Sequence, residues 1–149
     1  LKTNEAIFSD YWGGMLGYSP EEIPSELSTF DRLLHPEDRE RTYATVGDLI
    51  AEKIPFYQIE FRLKHKQGHW HWVLSSAQIA ERDEHNKPSR LIGSHTDIHS
   101  KKMMEQALIE SESHIRKVMD SLFVFVRILD LQGRILNINQ APLLLTGLR

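Results

Sequence analysis

At Tyr57 the chain changes period. Through "HPEDRERTYATVGDLIAEK" the pattern is helical, but in "YQIEFRLK" Tyr57, Ile59, Phe61 and Leu63 alternate with Gln58, Glu60, Arg62 and Lys64. A period of two places alternate side chains on opposite faces of a half-buried strand. "HKQG" then reads as a turn and "HWHWVLSSAQIAE" as a second, long strand. "RDEHNKP" is the next turn, with Asn86 the residue most tolerant of left-handed backbone, and "SRLIGSHTDI" is a third strand. Strands joined by short turns pair antiparallel in sequence order, so the default is a three-stranded meander.

The residues before the meander read as short helices. "SDYWGGML" starts at a Ser9 or Asp10 cap and stops at Gly17, which lacks the Cβ that penalises a left-handed terminus. In "MLGYSPEEIP" a new helix is expected two residues later. Ser19 would be N-cap, Pro20 N1 and Glu22 N3 of a capping box, with Tyr18 stapled to Ile23 and Pro24 as the stop. "STFDRLL" reads as another short helix, capped by Ser28. The longer one follows, with Pro36 at N1, Glu37 and Asp38 in the positive first turn, and an end near Lys53. From His99 the pattern is helical again to about Leu122. Met104, Leu108, Ile115, Val118 and Leu122 form a heptad seam in which Ser111 is polar, and so amphipathic a helix needs a partner, its own domain or a second copy.

Composition narrows the function classes. At 149 residues with 40% hydrophobic content the chain suits one domain plus an appendage, and a folded core rather than disorder is expected. A net charge of -3 gives no basic footprint for nucleic acid. With zero cysteines, disulfides, thiolate metal sites and cysteine nucleophiles are excluded. No apolar run reaches the roughly 18 residues of a membrane span, and the N-terminus has no basic-then-apolar targeting pattern, so a cytoplasmic location is expected.

The end of the chain echoes its beginning. Set beneath residues 1 to 18, "LQGRILNINQAPLLLTGL" aligns Leu131 with Leu1, Asn139 with Ser9 and Gly147 with Gly17, so turn, strand, cap, helix and terminating glycine recur in register. With "FSDYWGGMLGYSPEEI", "LLHPEDRE", "FRLKHKQGHWHWV" and "RLIGSHTDIHSKK" in that order, the chain resembles a PAS domain of the bacterial sensory-box type, in the subgroup ending in a PAC motif. The resemblance covers residues 1 to about 102, and a second PAS start covers about 113 to 149.

The resemblance implies an α+β fold: a five-stranded antiparallel sheet in the order 2-1-5-4-3, short helices on one face around a small pocket, then a long linker helix. It divides the chain into a PAS/PAC domain over 1–98 with its first strand missing, a signalling helix over 99–121, and the N-terminal part of a second PAS domain over 122–149. Pocket lining is expected from Tyr11, Trp12, Leu33, Leu34, Ile59 and Phe61, around a small and mostly apolar ligand. Asp97, Ile98 and His99 match the family's D-I-T junction, with His99 in place of threonine. The function implied is a non-catalytic sensory and dimerisation module. It would pass its signal through the paired helix to a diguanylate cyclase (GGDEF), phosphodiesterase (EAL) or histidine kinase output in a multidomain bacterial protein. The alternatives are a small standalone α+β enzyme and a ligand-free structural spacer.

Sharper chemistry is set aside on the residues. His69 and His71 share a strand face, but no third ligand lies near them in sequence, so they read as solvated histidines and no metal is expected. His35, just before Pro36, suits a helix start better than a haem ligand, and cysteine-dependent flavin photochemistry has no cysteine to use. The pairs Glu21-Glu22 and Glu37-Asp38 sit in first turns, where the helix dipole accounts for them, and there is no G-x-S-x-G. Trp12, Trp70 and Trp72 read as packing. One structural expectation remains: unless the first strand lies upstream of Leu1, "LFVFVRIL" and the rest of residues 122 to 138 should complete the first sheet, in their own chain or swapped from a neighbour. The helix of about 22 residues between them spans roughly 33 Å, which favours a strand swapped from a neighbouring chain.

Overall fold

The computed structural model describes residues 6–24, 26–121 and 126–139. These form two compact units, Leu1–Lys102 and Met103–Arg149. In the first, α1 (Asp10–Met15), α2 (Leu27–Leu33) and α3 (Pro36–Ile50) precede β1 (Phe56–Lys64), β2 (Trp70–Arg82) and β3 (Pro88–Asp97), after which α4 (His99–Ser121) begins. The strands pair antiparallel in the order β1-β2-β3. They are the meander that the alternation predicts, and in the family's order 2-1-5-4-3 they are the last three places.

Register explains the two faces. Phe61 pairs with Val73, Leu63 with His71 and Ile59 with Ser75, while Ser75 pairs with His95 and Val73 with Asp97, so these residues share one face. On that face Phe61, Leu63 and Val73 pack with Trp12, Leu16, Ile23, Phe30, Leu33 and Leu34 from the helical half as a single buried core. The opposite face carries Trp70 and Trp72 with cations laid over them: Lys64 Nζ 4.5 Å from the Trp70 ring, and Arg62 and Lys102 each 5.3 Å from Trp72.

The crowded corner at residues 15–24 docks on the β1–β2 turn. Gly17 has φ 78°, and a Cβ there would come within 2.8 Å of the His65 ring. Leu16 accepts the Lys66 N–H at 2.9 Å, and Lys66 Nζ reaches Glu22 at 2.7 Å. The expected helix at Ser19 is only a turn, although Glu22 still accepts the Ser19 N–H at 2.9 Å. With Pro24 so close, the segment is too short to repay helix nucleation. Likewise α2 is capped two residues earlier than read, with Glu26 at its N-cap, and Ser28 donates from inside the first turn to the Glu26 carboxylate. The end of α3 falls at Ile50 rather than near Lys53, because Glu52 takes φ 59°.

The five-stranded order is not what the described residues form. Residues 6–8 join no ladder; instead Phe8 stacks on Trp12 at 4.2 Å. In the second unit β4 (Arg127–Leu129) and β5 (Ile135–Ile138) pair with each other as a separate two-stranded sheet. They therefore do not complete the first sheet within the chain. The physical reason is local: Asp130 accepts the N–H of Gln132 at 3.0 Å and of Arg134 at 2.8 Å, closing a tight hairpin whose short loop costs little entropy. Asn139 braces this hairpin, accepting the Val126 N–H and donating to the Met119 carbonyl. The first half of "LFVFVRIL" and the repeat beyond Asn139 lie outside the described residues.

Candidate functional site

The richest polar constellation sits where the sheet hands over to α4. Asp97, last residue of β3, accepts the His99 N–H at 2.8 Å, so its side chain caps the helix that follows. Ile98 donates to the Trp72 carbonyl at 3.2 Å, stitching the junction to β2. The Asp-Ile-His triplet is thus a physical joint. Its third member does more than a threonine could. The His99 ring stacks on His71 at 4.5 Å between centroids and lies 5.4 Å from His69, which in turn stacks on His65 at 4.2 Å.

His71 is only 7% exposed, which corrects the expectation of a solvated strand-face residue. Period two sends it to the same face as Val73 and Ser75, beneath the helices. Its Nε2 lies 2.9 Å from Asp97 Oδ1 without the alignment of a hydrogen bond, and neither ring nitrogen has a hydrogen-bond partner. Desolvation, then the neighbouring histidines, hold His99 and His65 below the ordinary imidazole value. Burial pushes Asp97 up, but the His99 N–H and the His71 imidazole outweigh it and leave the carboxyl below its ordinary value.

The expected pocket residues meet unequally. Trp12, Leu33, Leu34 and Phe61 are buried in the common core with Ile59 packed against it, whereas Tyr11 is 68% exposed. Among them sits a residue that sequence reading missed. The His95 ring lies 5.4 Å from Phe61, 6.0 Å from Phe30 and 6.4 Å from both Phe8 and Trp12. Desolvation there pushes its pKa down to about 4. The alternation of "SRLIGSHTDI" puts His95 and Asp97 on one face, which was the available signal.

The acid pair of α3 is also more than a dipole partner. Asp38 is buried and accepts from Arg62 three times, at 2.9 Å each from the backbone N, Nε and one terminal nitrogen. These bonds outweigh desolvation and keep its pKa low, and they clamp α3 to β1. His35 is the N-cap of α3, its Nδ1 accepting the Glu37 N–H at 3.2 Å.

Of the expected seam on α4, Met104, Leu108, Ile115 and Val118 are 67%, 62%, 56% and 46% exposed, and Leu122 lies outside the described residues. No helix among the described residues is long and apolar enough to cross a membrane.

Known proteins resemble this chain along most of its length. It is 28% identical over 122 residues to the sensor protein FixL of Bradyrhizobium diazoefficiens, covering 82% of this chain and 24% of that protein. It is 31% identical over 106 residues to the probable diguanylate cyclase DgcE of Escherichia coli, covering 71% of this chain and 9% of the relative. The chain therefore spans a quarter or less of these relatives. Among solved structures, a sensory box histidine kinase/response regulator from Burkholderia thailandensis superposes with a TM-score of 0.60 at 27% identity, covering 74% of this chain and 81% of that one. The N-terminal domain of a Marinobacter aquaeolei diguanylate cyclase with PAS/PAC sensor shares the fold, with a TM-score of 0.57 at 20% identity over 68% of this chain and 91% of that one. The profile of the family described as the PAS fold matches residues 6–95, the span from the start of the helical half into β3, and the chain belongs to that family.

Proposed function

We propose that this chain is a cytoplasmic sensory and dimerisation module of a multidomain bacterial signalling protein. It relays a change in the PAS domain through paired copies of α4 to an output of the diguanylate cyclase, phosphodiesterase or histidine kinase kind. Residues 122–149 begin a second PAS domain in the same series. The observation that carries this reading is the apolar seam of α4, exposed along a helix whose root is bound to the sheet through Asp97 and Ile98. A free helix with that stripe lowers its energy by covering it, and a second copy in parallel register offers a matching stripe. The kinship with sensor proteins and a diguanylate cyclase supports the signalling context. The chain itself has no catalytic role in this reading. An interior ligand is small and apolar, and it enters by displacing side chains that fill the inner face; neither haem nor flavin is expected there.

Light scattering tests the relay. The chain should run as a dimer, and Leu108→Asp with Ile115→Asp should convert it to a monomer with its circular dichroism unchanged. A dimer that survives both substitutions would show that the seam is not the interface.

A further inference from the structure

The histidines at the sheet–helix joint come from three separate places in the sequence and converge. His69 precedes β2, His71 lies within it and His99 is the first residue of α4, and each brings a ring nitrogen to within 4.8 Å of the others. Stacking accounts for the nearness of the rings but not for their nitrogens. Nδ1 of His71 and Nδ1 of His99 are buried without a hydrogen-bond partner, a state that native folds avoid, while Nε2 of His71 faces Asp97 Oδ1. Two imidazoles whose lone pairs are unclaimed, with a third exposed at the mouth, make a donor set for a cation.

We propose that His69, His71 and His99 bind one divalent transition-metal ion of the zinc class, with Asp97 orienting His71. Imidazole nitrogen suits zinc, copper and nickel, whereas calcium and magnesium seek a cage of oxygen ligands that this histidine set does not supply. Zinc–nitrogen bonds of about 2.0–2.1 Å set tetrahedral ligand nitrogens about 3.4 Å apart. The rings therefore close in by an ångström or so, through rotation of the exposed His69 side chain and small torsional adjustments of His71 and His99. Asp97 Oδ1, 2.9 Å from His71 Nε2, is placed as the outer carboxylate that holds a ligating imidazole through its second nitrogen. Water completes the coordination. Because His99 opens α4, a bound ion ties the root of that helix to β2 directly, beside the Asp97 cap. Binding requires no dimer, so it succeeds or fails independently of the seam on α4.

Calorimetric titration of the full chain, stripped with chelator, with zinc ion alone tests the site. One equivalent should bind. His69→Ala, at an exposed position, and His99→Thr should each weaken binding tenfold or more with unchanged circular dichroism, while His85→Ala, on the distant β2–β3 turn, should bind as wild type. Saturating zinc should raise the melting temperature of the wild type and leave that of His99→Thr unmoved. Absence of stoichiometric binding, full affinity in His99→Thr, or equal weakening by His85→Ala would each overturn the site.

Discussion

Replacing His95 by leucine should make the domain resistant to mild acid. The imidazole sits among four aromatic rings, and desolvation alone lowers its pKa from 6.5 to about 4. The unfolded chain binds a proton near 6.5 and the folded chain only near 4, so over that window unfolding takes up a proton and stability falls as pH falls. Between pH 7 and pH 5 linkage gives a loss of about 2 kcal/mol from this one group. That interval is the informative one, because Asp38 and Asp97, both held below 3.8, stay ionised throughout it in the folded state. His65 and His99 are also held below the ordinary imidazole value by desolvation, so the readout is the difference between wild type and His95→Leu. Urea unfolding followed by tryptophan fluorescence at pH 7 and pH 5 measures it. Wild type should lose about 2 kcal/mol more than the variant, which is about 1 M in midpoint at an ordinary denaturant slope. Leucine, of similar bulk and apolar, should leave the stability at pH 7 within about 1 kcal/mol of wild type. Equal acid sensitivity in the two proteins would refute the reasoning and place the His95 ring in contact with water.

Gly93 pairs with Ala77 across β2 and β3, and an added Cβ would strike the Ser76 carbonyl and lie 2.9 Å from the Ala77 Cβ. Since backbone cannot yield there, Gly93→Ala should cost about 2 kcal/mol and lower the melting temperature by about 10 °C; a shift under about 2 °C would contradict the close approach. Asp38→Asn should cost about 2 kcal/mol in urea unfolding at pH 7, because it discharges a buried acceptor that meets Arg62 three times. Glu37→Gln, whose exposed carboxylate meets the same guanidinium at 2.9 Å, should cost less than about 0.5 kcal/mol, and equal losses would contradict the assignment of the clamp to Asp38.

Local physics was legible in the sequence. Alternation marked β1, the turns around Gly68 and Asn86 marked β2 and β3 as its meander partners, Gly17 marked the end of the first helical segment, Pro36 marked the start of α3, and the seam marked α4. Each of these is decided by a few neighbouring residues, through side-chain period, φ preference or a missing N–H. The Asp97–Ile98–His99 joint was legible too, as a resemblance. What the sequence did not contain was which distant groups meet. Asp38 finds Arg62 because α3 crosses β1, His95 is partly desolvated because α1 and α2 bring Trp12 and Phe30 beside its ring, and His99 reaches His71 because α4 starts beside β2. Those meetings depend on register and on helix placement, which are set by burying the whole core at once. The pairing of β4 with β5 shows the same division from the other side. A strand's edge will accept any partner, so period alone names a strand, and the tight Asp130 turn supplies the partner closest along the chain.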